Sequence, residues 1–168
     1  MSKALTQADK LGKLREIVKR VDICMLTTTD ERGGLHSRPM SNNREIEFDG
    51  DLWFFTYGAS HKVDEVGRVP NVNASFADID GQLYASLSGQ AEVVRDRAKI
   101  EELWKPHLRA WFPQGVETPD IALLKVTAER AEYWDSSQSV VAHAVGLVSS
   151  LVTGQPAQVG ENEKLDLK

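Results

Sequence analysis

Hydrophobic and polar positions divide the chain into helical and strand-like segments. Between residues 4 and 21, apolar side chains recur at helical spacing, at Leu11, Leu14, Ile17, Val18 and Val21. This spacing predicts one amphipathic N-terminal helix. After residue 21 the period changes to two, and a turn-forming run at 30–34 closes the first strand-like segment. The pattern therefore predicts a helix followed by a β-rich region from about 22 to 134.

Alternating patterns and turn signals continue through this β-rich region. They predict strands over residues 22–28, 35–40, 44–48, 52–56, 72–77, 82–94 and 121–134. Asp49 and Gly50 mark a hairpin turn, and Gly89 within the longest segment predicts a bulge or a bend. Short strands joined by tight turns favour an antiparallel β-barrel over a parallel α/β sheet.

Several short helical segments accompany the strands. Residues 61–69 show helical spacing and end before Pro70, and Asp96 is placed to cap a helix carrying Ile100 and Leu103. Pro106 starts a second helical piece that reaches residue 113. We predict a single domain over 1–153 with a C-terminal helical segment at 136–152. The polar tail at 154–168 is expected to be partly disordered unless it docks on a partner.

Composition and charge narrow the class of protein. The chain has 168 residues, of which 41% are hydrophobic and 27% charged, as in an ordinary soluble domain. A net charge of −5 argues against broad nucleic-acid binding, and the sequence predicts no signal peptide and no membrane span. Cys24 is the only cysteine, and the four histidines lack paired metal spacing, so we expect a cytoplasmic protein without a metal site.

The segment from 52 to 62 reads as an aromatic strand, a loop and the start of a helix. A helix N-terminus presents unpaired N–H groups and positive potential, Thr56 and Ser60 add hydroxyls, and Lys62 adds a charge. This combination is suited to a phosphate group. The alternative, with about equal weight on spacing alone, is that Ser60 only caps the helix and Lys62 faces solvent.

A second cation lies on the strand predicted to pair with 52–56 through the intervening hairpin. Arg38 could there reach the same anion as Lys62, with guanidinium geometry suited to phosphate. The alternative is a surface salt bridge to one of the many acidic residues. Pro39 lacks an N–H donor, which places this strand at an edge or beside a ligand. Trp104 is assigned to core packing, and Trp111, in a loop-like stretch, is the better ligand candidate.

Together these segments resemble the pyridoxamine 5′-phosphate oxidase-like FMN-binding split-barrel superfamily, and most of all its general stress protein 26 branch. The resemblance runs from about 22 to 134 and is carried by residues 37–40, 53–56, 60–63, 71–77, 84–91, 104–106 and 110–115. It implies a mainly β fold, a six-stranded antiparallel Greek-key split β-barrel with flanking helices. It also implies a homodimer with FMN at the subunit interface.

The resemblance also assigns residues to the cofactor. It implies that Arg38, Ser60 and Lys62 hold the phosphate, with His61 beside them. Further along FMN, it implies that the ribityl chain and the flavin ring are bordered by Thr56, by the backbone from Pro39 to Met40 and from Phe54 to Phe55, and by Trp111. No catalytic residue is assigned.

Function remains divided among three expectations. The first is an FMN-dependent oxidoreductase that acts on an unknown small molecule with NAD(P)H as reductant. The second is a non-catalytic flavin store or stress sensor, and the third is a member of the same superfamily that binds F420 or haem. The C-terminal region lacks the Arg- and His-bearing substrate segment of the namesake enzymes, so oxidation of pyridoxamine phosphate is not expected.

Overall fold

A computed structural model describes residues 6–136 and 160–167. The helices are α1 (Gln7–Arg20), α2 (His61–Arg68) and α3 (Arg97–Leu103), with short 3₁₀ helices at Pro106–Ala110 and Gly115–Glu117. The strands are β1 (Ile23–Thr29), β2 (Leu35–Ser41), β3 (Asp51–Tyr57), β4 (Asn71–Asp78), β5 (Leu83–Val94), β6 (Ile121–Asp135) and β7 (Glu161–Asp166).

The strands form one antiparallel sheet in the order β2-β1-β4-β5-β6-β3, and β7 adds to β6. The predicted mainly β fold with flanking helices, of the split-barrel type, is confirmed, with seven strands in place of six. β2 lies at one end of the order, which agrees with the edge position predicted from Pro39.

Two hydrophobic clusters hold the sheet and helices together. The larger one joins α1 to the sheet, with Leu14, Ile17, Leu26, Phe54 and Tyr133 among its fully buried members. The smaller one lies under α3 and the 3₁₀ helices and contains Phe55, Ile100, Leu103, Leu108, Phe112 and Leu123. β3 therefore contributes neighbouring residues to both clusters, because successive side chains of a strand point to opposite faces.

Cys24 is buried in the larger cluster, as the alternating pattern predicts. Burial raises the pKa of its thiol to about 12, which keeps the thiol protonated at neutral pH.

The predicted strand at 44–48 is wrong. These residues form a turn and a loop between β2 and β3, although Phe48 is buried and Ile46 is partly buried. Their apolar side chains fill gaps in the two clusters without backbone ladder bonds. Asn42, the first residue after β2, fastens this loop to α1: it donates its side-chain N–H groups to the carbonyls of Val18 and Val21, at 2.6 and 2.9 Å.

The predicted pairing of β2 with β3 is also wrong. β2 pairs with β1, and β3 pairs with β6, so the two strands lie at opposite ends of the sheet order. The loop at 42–50 is too long for a hairpin turn and carries the chain from one end of the sheet to the other. The coiled sheet nevertheless brings these two ends to a common cleft.

The pairing of the two longest strands, β5 and β6, contains the predicted bulge. The register shifts between Ser88 and Gly89, where a Cβ on Gly89 would lie 1.9 Å from the carbonyl oxygen of Thr127. Only glycine permits this approach of the two backbones.

Within the polar tail, residues 161–166 form β7, a strand that the sequence pattern does not predict. This strand pairs with 130–135 of β6, and Gln7 and Lys10 of α1 bond to Asp166 and Glu163. The predicted helical segment at 136–152 lies outside the described residues, apart from Ser136.

Candidate functional site

A cleft of about 190 Å³ lies where β2, β3, the start of α2 and the first 3₁₀ helix meet. Six of the predicted cofactor residues line it, namely Pro39, Met40, Phe55, Thr56, Lys62 and Trp111. Three further lining residues were not predicted, namely Ser41, Tyr57 and Leu108, and Phe112, the neighbour of Trp111, also lines the cleft. Leu108 lies in the first 3₁₀ helix, and the approach of this helix to β3 is a long-range contact without a local sequence signal.

Two hydroxyl groups lie close together here, that of Thr56 at the end of β3 and that of Ser60 at the start of α2. Ser60 is the N-cap residue, yet its side chain makes no capping hydrogen bond. Its Oγ lies 3.2 Å from Oγ1 of Thr56, which is buried at the end of β3. The alternative in which the Ser60 side chain only caps the helix is therefore wrong.

Asp120, the residue directly before β6, holds the loop that precedes α2. The carboxylate of Asp120 accepts the backbone N–H of Ala59 at 2.6 Å, and its carbonyl accepts the N–H of Gly58 at 2.8 Å. Asp120 itself has φ of 59°, in the left-handed region that Asp enters more readily than most residues. These two bonds hold the turn that leads from β3 into the helix.

Lys62, in the first turn of α2, is partly buried and reaches the cleft. Among the described residues it forms no ion pair. Burial lowers the pKa of its ammonium group, the nearby Arg38 lowers it further, and Glu65 opposes both effects. A desolvated cation without a direct counter-ion is suited to an anionic ligand.

Arg38 lies close to Lys62 but is already engaged within the protein. Its Nη2 donates to Oε2 of Glu65 at 2.6 Å, and its Nη1 donates to Oγ1 of Thr28 at 2.5 Å. The salt-bridge alternative for Arg38 is therefore present in the structure, with a buried partner rather than a surface one. Whether Arg38 also contacts a phosphate stays a prediction.

Four predicted residues are not among those that line the cleft, namely Arg38, Phe54, Ser60 and His61. For Phe54 the prediction concerns the backbone, which adjoins Phe55. Phe54 is 1% exposed and points into the larger cluster, away from Phe55. His61 is exposed at the start of α2 and does not line the cleft.

Aromatic side chains form one wall of the cleft. Tyr57 donates its hydroxyl to the carbonyl of Trp111 at 2.9 Å, and its ring lies 5.0 Å from that of Phe112. Trp111 is 50% exposed, whereas Trp104 packs edge-on against Phe55 with ring centroids 5.5 Å apart. Trp104 thus packs in the core, as predicted, whereas the side chain of Trp111 is half exposed.

Within residues 6–136 and 160–167, no cluster of three or more His, Cys, Asp or Glu side chains is arranged to hold a metal ion. The same part of the chain contains no helix with the length and apolar character needed to cross a membrane.

Comparison with known proteins agrees with the fold. The family model for pyridoxamine 5′-phosphate oxidase-like proteins matches residues 9–158. Protein bli-3 of Neurospora crassa is 30% identical over 161 residues, which cover 90% of this chain and 77% of bli-3.

Solved structures with the same fold come from bacteria. A general stress protein 26 from Jannaschia sp. CCS1 is 25% identical, with a TM-score of 0.73 over 95% of this chain and 99% of its own. The general stress FMN/FAD binding protein of Xanthomonas citri is 32% identical, with a TM-score of 0.64 over 76% of this chain and 89% of its own. The chain therefore belongs to the pyridoxamine 5′-phosphate oxidase-like family, in its general stress protein 26 branch.

Proposed function

We propose that this protein binds FMN, with the phosphate held at the start of α2 by Lys62, Ser60 and Thr56 and supported by Arg38. The observation that carries this proposal is the state of Lys62, a partly buried cation with no ion pair among the described residues. It lies at a helix N-terminus, where backbone N–H groups favour anions. The FMN/FAD-binding relative from Xanthomonas citri supports a flavin as the ligand.

The remainder of the cleft fits the flavin ring better than a haem. Met40, Phe55 and Trp111 supply apolar and aromatic surface, and Tyr57 adds a hydroxyl. None of the described residues lining the cleft is a histidine or a cysteine, the most common axial ligands of haem iron.

The size of the cleft supports the proposal that one chain supplies only part of the site. Its volume of about 190 Å³ is below the roughly 300–1,000 Å³ typical of ligand pockets. A second copy of the chain would complete the site, and this is the homodimer with FMN at its interface that we propose.

The outer face of the sheet supports this homodimer. Along β1, β2, β4 and the part of β5 that pairs with β4, the outward positions carry no charged residue: Ile23, Met25, Thr27, Thr29, Leu35, Ser37, Pro39, Ser41, Asn71, Asn73, Ser75, Ala77, Tyr84, Ser86, Ser88 and Gln90. The next outward position of β5, beyond this area, is the exposed Glu92. Met25 is 41% and Ile23 is 46% exposed. The depletion of charge is typical of the core of a protein interface. We refer to these positions as the uncharged face.

As to activity, we propose an oxidoreductase that uses NAD(P)H to reduce an unknown small molecule in the cytoplasm. Bound flavin supplies the hydride and electron transfer. Lys62, Ser60 and Thr56 would bind the phosphate, and Met40, Phe55 and Trp111 would supply apolar and aromatic surface to the ring. This division of roles requires no acid–base pair in the cleft, and the proposal assigns none.

The test begins with titration of the purified protein with FMN and with riboflavin, which lacks the phosphate. Lys62→Gln removes a charge-assisted contact worth about 1.5–3 kcal/mol and is expected to weaken FMN binding roughly tenfold or more. Lys19→Gln is the matched control, because Lys19 is an exposed lysine on α1 away from the cleft. Equal FMN binding by wild type and Lys62→Gln would contradict the phosphate assignment.

Catalysis is tested separately on the flavin-loaded protein. Anaerobic mixing with NADPH or NADH is expected to bleach the flavin absorbance at a rate that supports turnover. A flavin that binds tightly but stays oxidised would instead favour storage or sensing.

A further inference from the structure

A buried carboxylate lies one turn beyond Lys62 on α2. Glu65 is 6% exposed and faces the sheet among the valines of the helix. Buried carboxylates are costly unless they are paired and hydrogen-bonded. Its position next to the proposed phosphate site therefore calls for a physical reason.

Glu65 connects three elements around Arg38. Its Oε2 accepts hydrogen bonds from the hydroxyl of Thr28 at 2.5 Å and from Nη2 of Arg38 at 2.6 Å. Its Oε1 lies 3.4 Å from Nδ1 of His36. Thr28 lies on β1, and Arg38 and His36 lie on β2. The carboxylate thus ties α2, β1 and β2 together at one point.

The guanidinium is held from several sides in this arrangement. Nη1 of Arg38 donates to Oγ1 of Thr28 at 2.5 Å and to the carbonyl of Leu26 at 3.4 Å, while Nη2 donates to Oε2 of Glu65 at 2.6 Å. A side chain with many rotamers is thereby restricted to one position.

The negative charge of Glu65 also acts on the two neighbouring cations, Lys62 and Arg38. Lys62 and Arg38 are like charges that disfavour each other, and Arg38 lowers the pKa of Lys62. Glu65 raises the pKa of Lys62, opposing this effect. Burial raises the pKa of Glu65 itself, but bonds from Thr28 and His36 and the charge of Arg38 outweigh burial, so its pKa lies below the ordinary value. Glu65 is therefore ionised at neutral pH and stabilises two cations in close proximity.

We propose that Glu65 is a positioning residue for the phosphate site: it acts through Arg38 and Lys62 and does not touch the ligand. This inference rests on the proposed function. It explains why a carboxylate, which by charge alone would repel a phosphate, is buried beside the site. The gain from holding two cations in place exceeds the loss from one added negative charge.

The experiment compares Glu65→Gln with wild type in titrations with FMN and riboflavin at pH 7.5. Gln has the same shape but no charge, so the cations lose their counter-ion and Arg38 loses its charge-assisted bond. We expect FMN affinity to fall by about tenfold, the size of one such bond, while riboflavin affinity is unchanged. The ratio of the two affinities is a readout that a merely structural role would not move.

Three results would overturn the proposal. Tighter FMN binding by Glu65→Gln would show that the carboxylate acts mainly by repulsion, and equal losses for FMN and riboflavin would show a scaffold role. Unchanged binding of both ligands would show no role at all. If wild type itself binds riboflavin as tightly as FMN, the phosphate site of the proposed function fails first, which is a distinguishable outcome.

A second variant covers the case in which Glu65→Gln does not fold. Thr28→Val is nearly isosteric and removes the hydroxyl that bonds both Arg38 and Glu65. A smaller loss, in the same phosphate-specific ratio, is expected. A Thr28→Val protein with the wild-type ratio would contradict the positioning role.

Discussion

At the scale of single residues, the lowered pKa of Lys62 gives the proposed site a pH dependence. The ammonium form binds a phosphate, so affinity is full below the pKa of Lys62 in the free protein and falls as pH rises through that pKa. Because burial and Arg38 lower this pKa, the decline begins at a lower pH than an exposed lysine would allow.

This dependence is measured as the Kd for FMN between about pH 8 and 10, well above the second phosphate pKa of about 6. Lys62→Arg is the informative control, because a guanidinium stays protonated over the whole range. Its affinity is expected to stay flat where that of wild type declines. Parallel profiles for both proteins would mean that another group titrates.

Sequence reasoning reached the local part of the site at this scale. Thr56, Ser60 and Lys62 are close in the chain, so one strand–loop–helix pattern was enough to place them together. Glu65 and Asp120 were missed because each acts through a contact with a distant segment, to Arg38 and to the loop at 57–60 respectively. No short-range pattern distinguishes a buried helical glutamate from a solvent-exposed one.

At the scale of elements, the bulge between β5 and β6 leads to a stability prediction. Gly89→Ala would place a Cβ 1.9 Å from the Thr127 carbonyl oxygen, so the two strands must separate. We expect a loss of several kcal/mol in the free energy of unfolding, at the upper end of the range for single substitutions.

The matched control is Gly67→Ala, within α2, where an added Cβ meets no atom within 4 Å. Alanine replaces glycine in an exposed part of a helix there, which is expected to stabilise the protein by about 0.5–1 kcal/mol. Urea unfolding of both variants measures the difference. A Gly89→Ala protein as stable as wild type would show that the strands absorb the bulge in another way.

Periodicity predicted most elements but not their partners. The predicted bounds of α2, α3, β5 and β6 lie close to the observed ones, because the sequence pattern of each element is local and strong. The strand prediction for 44–48 is wrong because Ile46 and Phe48 alternate with polar residues, as in a strand, but the backbone there forms no ladder hydrogen bonds. The polar strand β7 was missed because its place in the sheet depends on β6 and α1, not on its own hydrophobicity.

At the scale of the whole molecule, the uncharged face and the small cleft lead to the same expectation. A charge introduced at the centre of this face would be buried without a partner in the dimer, which costs several kcal/mol. Met25→Lys places one there, between Pro39 of β2 and Ser75 of β4. We expect this variant to be a monomer by sedimentation and to bind FMN more weakly, because the second copy no longer completes the site.

Ile79→Lys is the control, since Ile79 is 75% exposed in the turn between β4 and β5, away from the centre of the face. It is expected to sediment and to bind FMN as wild type does. Measuring both properties on both variants separates the two claims. A monomeric Met25→Lys protein with wild-type FMN affinity would keep the interface but place the whole flavin site within one chain. A Met25→Lys protein that stays dimeric would move the interface to another surface.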